Sequence, residues 1–249
     1  MANFPVKTLP LIFLVFAMAG LAGCEDRPES KWSPGDAPET RAASGETVDT
    51  KRYMVADELL GRLSAGEHPF VFDVRARASF EESHVEGAYS MPYGQVGEAE
   101  LAEIQGLGKN SPIVTYCGCP HHLAGLAADQ LIEMGYQQVR VLYEGYWYWR
   151  DNQFPIEGSE QQALTHLKFA GQVPQNRYAN ESAFVFLTNM RNGQLEAAPI
   201  DSQGGFQVDF HVFGHRRDDQ FELRVGSLEA DVIQSVRATP ELETRIRLN

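Results

Sequence analysis

The sequence is short of the features that define several protein classes. Its 249 residues hold only three cysteines, too few for a disulfide-stapled scaffold. Basic residues are scarce: 21 Lys and Arg stand against 34 Asp and Glu, a formal charge of −13. A surface of that sign repels phosphate backbones, and no basic cluster offsets it, so no nucleic-acid partner is expected. Glycine (22) and proline (13) are too sparse for a collagen-like or wholly disordered chain. No apolar run reaches the roughly 20 residues of a membrane-spanning helix. What is present is ordinary globular composition, 43% hydrophobic and 22% charged. The length suits one or two domains with a buried core.

The first residues read as an address. Lys7 is the only charged side chain before residue 24, and Leu9 to Ala22 is almost wholly apolar. A basic n-region followed by an apolar h-region is the pattern of a secretory signal, here residues 1–23. Leu21-Ala22-Gly23-Cys24 resembles the lipobox of bacterial lipoproteins, which implies acylation of Cys24 as the first mature residue. Several acyl chains together anchor stably where one does not. Residues 24–50 carry Pro28, Pro34, Pro38, Gly35 and Gly45, with only Trp32 and Val48 as larger apolar residues. They read as a flexible tether. The expected location is the bacterial cell envelope, lipid-anchored and extracytoplasmic, on the periplasmic face or the cell surface.

Residues 51–160 alternate helical and strand patterns. Val55, Leu59, Leu60 and Leu63 fall at helical spacing. Phe70–Val74, Pro112–Tyr116 and Val139–Leu142 are short apolar runs suited to strands covered on both faces. Leu101 and Ile104 mark a weaker helix, and Leu123, Leu126, Ala127, Leu131 and Met134 a strong one that Gly135 can end. This alternation implies an α/β domain, a parallel sheet with helices on both faces. Ligands in such folds sit beyond the carboxyl ends of the strands, and Cys117 follows directly on one of those ends.

Several stretches of this segment match, in order, the motifs of one known family. Tyr53-Met54-Val55-Ala56-Asp57-Glu58-Leu59 looks like its opening, and Phe72-Asp73-Val74-Arg75 like its Asp-Val-Arg motif. Glu82-Ser83-His84-Val85-Glu86-Gly87-Ala88, then Met91-Pro92, is similar to its Gly-His-Ile-x-Gly-Ala…Pro motif, with Ser83 in place of glycine. Leu142-Tyr143-Glu144-Gly145-Tyr146, Trp147, Trp149 and Phe154-Pro155-Ile156 resemble the closing signature. Together these motifs closely resemble the rhodanese (sulfurtransferase) family; the resemblance implies the rhodanese fold and makes Cys117 the catalytic nucleophile. Cys117 would take the outer sulfur of a donor as a persulfide and pass it to a thiol acceptor. If the 118–122 turn wraps the thiol, inward N–H groups and the helix dipole stabilise the anion.

The active-site loop Cys117-Gly118-Cys119-Pro120-His121-His122-Leu123 lacks the Arg or Lys that many thiosulfate-using relatives carry, and Pro120 removes one N–H. A neutral donor or a protein persulfide therefore fits better than thiosulfate. Cys119 has three readings: a resolving thiol, a soft-metal ligand with Cys117 and His121 or His122, or a bystander. Four ligands within six residues of one loop rarely reach tetrahedral geometry, so neither metal nor cofactor is assigned. Asp73, Arg75 and His84 read as supporting residues; Arg75 is expected to pair with Glu81 or Glu82. Trp147 and Trp149 read as core.

Beyond Gly158 the periodicity becomes two. Phe206, Val208, Phe210 and Val212 alternate with polar residues, as do Phe221, Leu223 and Val225; Asn192-Gly193 and Gly204-Gly205 mark turns. Residues 165–249 read as an all-β sandwich, loosely resembling immunoglobulin-like or carboxypeptidase-regulatory-like modules. Its expected role is spacing or partner binding. His211 and His215 are expected to be solvated. The leading expectation is a membrane-anchored sulfurtransferase. Alternatives are a non-catalytic module that binds a protein or soft metal through the 117–122 loop, and a thiol redox protein using Cys117 and Cys119. Phosphatase chemistry is disfavoured because the loop has no arginine.

Overall fold

A computed structural model describes residues 40–41, 47–95, 97–118, 122–174, 183–228, 230, 232–238 and 243–247. The segment read as a signal and anchor, with Cys24, and the loop residues Cys119, Pro120 and His121, lie outside the described residues. No helix among the described residues is long and apolar enough to cross a membrane.

Strands β1 (Thr40–Arg41) and β2 (Thr47–Val48) form an antiparallel pair inside the stretch read as tether. Val48 is buried there against Val55, so ordered structure begins before residue 51. Next come β3 (Tyr53–Met54), α1 (Ala56–Ser64), β4 (Phe70–Asp73), α2 (Arg77–Glu82), β5 (Ser83–Val85), β6 (Tyr89–Ser90) and α3 (Glu98–Ala102). They are followed by β7 (Pro112–Tyr116), α4 (His122–Glu133), β8 (Gln138–Leu142), α5 (Gly145–Asp151) and β9 (Ile156–Gly158). α1 begins with Asp57 and Glu58 in its first turn, where they complement the helix dipole. After α4, Gly135 takes φ +90°, a left-handed conformation suited to glycine.

The main sheet runs β3-β8-β7-β4-β6 with every pair parallel. Alternation along β4 and β7 supplies both faces. Phe70, Phe72 and Ile113 pack with Leu123, Ala127 and Leu131 of α4 and with Leu101 of α3. Val71, Val114 and Tyr116 pack on the other side with Leu59 of α1 and with Tyr146 and Trp149 of α5. Full burial of each such side chain stabilises by about 1.5–3 kcal/mol. The register pairs Asp73 with Tyr116, so both motifs end at one edge of the sheet.

The remaining strands are β10 (Leu164–Gln172), β11 (Phe184–Asn189), β12 (Leu195–Pro199), β13 (Gly205–Phe213), β14 (Phe221–Val225), β15 (Gln234–Val236) and β16 (Thr244–Arg247). They make two sheets, β13-β10-β16 and β12-β11-β14-β15. Both contribute to one apolar cluster, with Phe169, Val208 and Phe210 from the first and Val185, Leu187 and Leu223 from the second. The second sheet has another apolar face. Phe186 and Ala197 are buried in the cluster of the α/β domain, and Phe184 and Leu195 pack against it. The two parts of the chain therefore share a core.

Candidate functional site

Cys117 lies at the carboxyl end of β7 and is 1% exposed. α5 grips the turn after it: the Tyr146 N–H donates to the Cys117 carbonyl at 2.8 Å. The thiol sits where the first turn of α4 meets the sheet. Burial, above all, and then the carboxylate of Glu196 push it up to about 12; the amides of Ala124 and Leu123 pull the other way by donating toward the sulfur, and Asp73 adds a further push upward. These two amides belong to the first turn of α4, just beyond the 118–122 turn from which inward amides were expected and of which residues 119–121 lie outside the described residues, and the expected thiolate is not favoured in this arrangement. Burial in low dielectric penalises the anion more than two N–H groups relieve it.

Glu196 arrives from β12, an edge strand of the second domain, and is 5% exposed. A Cβ placed on Gly118 would lie 2.7 Å from its Oε1 and 2.8 Å from Trp147 Nε1. Gly118 is thus the residue that lets the second domain close on the loop. The Trp147 indole stacks on His211 at 4.7 Å and lies 5.8 Å from Phe213. Its Nε1 is buried and has no hydrogen-bond partner among the described residues. At the other end of the loop, His122 Nδ1 lies 3.0 Å from the Ala197 carbonyl, and Leu123 is buried.

The supporting residues form a buried network beneath the loop. Arg75 holds Asp73 through Nε at 3.0 and 3.1 Å and through Nη2, and it also donates to the Ser83 carbonyl at 2.7 Å. Its guanidinium lies 3.6 Å from the Tyr146 ring centroid, a desolvated cation–π contact. Its partner is therefore the aspartate of its own motif, not Glu81 or Glu82. The way the chain leaves β4 brings Arg75 back onto Asp73, two residues earlier, whereas Glu82 accepts from the Gln162 amides. Tyr116 donates to Asp73 at 2.7 Å, and Tyr146 donates to Ser83 Oγ at 2.6 Å. His84 ties loops together, with Nδ1 2.8 Å from the Phe80 carbonyl and Nε2 3.1 Å from Glu157. Trp149 is core, donating from Nε1 to the Pro155 carbonyl at 2.8 Å.

The histidines of the second domain depart from the expectation of solvation. His211 is half-buried under Trp147 and stacks on His166 at 4.3 Å. His215 lies beyond the end of β13, with its side chain 7% exposed near Asp219. Sequence reasoning missed Glu196, Tyr116, Tyr146 and the role of Ser83. Glu196 had no signal, since a lone glutamate between Leu195 and Ala197 does not reveal which surface it meets.

The fold and the motif edge define an α/β domain with a strand-end cysteine. Residues 55–152 match the family model described as rhodanese-like domain, and this part of the chain is a rhodanese-like domain. Among solved structures the chain is similar to the rhodanese-like domain of an Anabaena sp. protein, at 27% identity over 45% of this chain and 83% of that one, with TM-score 0.40. A Bacillus halodurans protein matches at 28% over 44% and 78%, TM-score 0.40. A thiosulfate sulfurtransferase from Pseudomonas aeruginosa matches at 23% over 43% of this chain and 20% of that one, TM-score 0.37.

Proposed function

We propose that this protein is a sulfurtransferase in which Cys117 carries sulfane sulfur as a persulfide. The observation that carries the reading is the placement of the Cys117 thiol at the end of β7, with the Leu123 and Ala124 amides of α4 directed at its sulfur. The thiolate attacks the outer sulfur of a donor, the donor's S–S bond breaks, and the leaving group departs with the bonding pair. A thiol acceptor, attacking as its thiolate, then takes the outer sulfur and Cys117 leaves as thiolate. Two signals support an extracytoplasmic, lipid-anchored protein: the apolar segment before residue 24 and the Leu21–Cys24 sequence. The cluster common to both C-terminal sheets supports the reading of 165–249 as a β-sandwich.

The test is intact mass. The full chain, incubated with a panel of sulfane-sulfur donors, should gain one sulfur, and Cys117→Ser should gain none. No adduct from any donor overturns the proposal. It would favour a second reading, a non-catalytic binding module, which draws on the burial of the thiol and its rise to about 12.

A further inference from the structure

The two parts of the chain enclose a cavity of about 200 Å³, where the chain leaving β4 faces the β11–β12 hairpin turn at Asn192 and Gly193. One wall is Val74. Its N–H donates to the Tyr116 carbonyl at 2.9 Å, so Val74 lies alongside Cys117 at roughly the 4.8 Å spacing of neighbouring strands. Both side chains belong to one buried cluster, against which Leu195 of the opposite wall also packs. The cavity thus adjoins the thiol beyond the carboxyl ends of the parallel strands, where open α/β sheets take their ligands. Ala78 and Pro92 extend the apolar lining. Arg77 is the one charged side chain among the described residues of that lining; it and Gln95 are exposed and bring N–H donors to the rim.

We propose that this cavity is the subsite for the sulfur acceptor, and that the acceptor is a small thiol with a carboxylate at its other end. This rests on the sulfurtransferase reading of Cys117. The space is smaller than a drug-sized ligand fills, so it suits a short chain rather than a peptide. The apolar walls take the methylenes. The Arg77 guanidinium offers a planar carboxylate two parallel N–H donors, a charge-assisted pair that a neutral amide does not form. In the transfer step the acceptor's thiolate attacks the outer sulfur of the Cys117 persulfide. Cys–S–SH plus ⁻OOC–R–S⁻ gives Cys–S⁻ plus ⁻OOC–R–S–SH; the S–S bond on Cys117 breaks, its electron pair stays on the cysteine sulfur, and the new S–S bond forms on the acceptor.

Turnover of the full chain tests this, with a sulfane-sulfur donor that loads Cys117 and with mercaptopropionate or mercaptopropionamide as acceptor. The two acceptors differ in charge and barely in size. Taking kcat/KM for the acid over that for the amide cancels changes in loading and in access. Arg77→Met should lower this ratio about tenfold, and Arg77→Lys should recover part of the loss. A ratio within twofold of wild type in Arg77→Met overturns the inference. Ala78→Leu, which fills part of the cavity, should lower kcat/KM for both acceptors; unchanged values overturn it as well. Methylthiopropionate, whose sulfur is already capped, separates the two readings. Saturation-transfer NMR should show it bound to wild type and not to Arg77→Met. That binding with no sulfur uptake from any donor supports the carboxylate site and overturns the sulfurtransferase reading, whereas sulfur turnover without that binding overturns the subsite alone. Circular dichroism confirms that each variant is folded; if Arg77→Met does not fold, Arg77→Gln gives the same comparison.

Discussion

Replacing Arg75 with Met tests the network that underlies the site. The Arg75 side chain is 4% exposed and that of Asp73 is fully buried. Burial alone would lower the guanidinium's affinity for its proton, yet the Asp73 carboxylate beside it raises that affinity overall. Removing the guanidinium leaves Asp73 with the Tyr116 hydroxyl at 2.7 Å and the backbone amide of residue 75 at 2.9 Å. Those two neutral donors do not replace a bidentate cation. Breaking a buried pair by deleting one partner costs about 3–5 kcal/mol, a large part of the roughly 5–15 kcal/mol that holds a domain folded.

The assay is urea unfolding followed by tryptophan fluorescence, which the buried Trp149 reports. With a slope near 2 kcal/mol/M, the midpoint of Arg75→Met should fall by about 1.5–2.5 M. The double variant Asp73→Asn with Arg75→Met removes the stranded charge and should recover a large part of that loss. A fall under about 0.5 M, or a double variant no better than the single one, would refute the reasoning, because either means the carboxylate is not held as a buried charge.

Two further outcomes are expected. Burial first and His166 second hold His211 down to about 4, against upward pulls from Asp209 and Asp151 and a further downward push from Arg150. The folded value lies below the unfolded one near 6.5, so His211 contributes stability in full above about pH 6.5 and loses it as pH falls toward 4. His211→Phe should flatten the decline in urea midpoint across that window; an unchanged slope argues against the assignment. Gly158 has φ +102°, and an added Cβ would run into the Glu82 carbonyl oxygen. Gly158→Ala should therefore cost about 1–3 kcal/mol and loosen the β5–β9 pair, and an unchanged midpoint would contradict that.

The parallel sheet was legible because its strands are short, buried on both faces and separated by periodic helices. Phe70–Asp73, Pro112–Tyr116 and Gln138–Leu142 fall within a residue of the runs that announced them. Cys117 was legible for the same reason, as the residue after a strand and before a helix. Arg75's partner was not. Asp73 and Arg75 lie on either side of Val74, and their contact follows from the way the chain leaves β4, which no spacing rule states. The alternating runs around Phe210 and Phe221 located the C-terminal strands. Alternation names one buried face, however, and gives no notice when the opposite face is buried as well. That is why His211 was read as solvated.

The same two-sided burial changes what the second domain does. A spacer needs one apolar face for its own core, and β11 has two: Val185 and Leu187 point to the shared cluster of the C-terminal sheets, while Phe186 points to the α/β domain and stacks on Tyr93 at 6.0 Å. Phe184, Leu195 and Ala197 extend that second contact to the loop end, where His122 meets the Ala197 carbonyl. The burial of Cys117 is thus tied to a surface that the α/β domain does not itself supply. With the thiol up at about 12, only on the order of one molecule in 10⁵ carries a thiolate at neutral pH in this arrangement. The burial of this sulfur and one of the carboxylates that oppose its ionisation thus come together on one strand, β12, through Ala197 and Glu196.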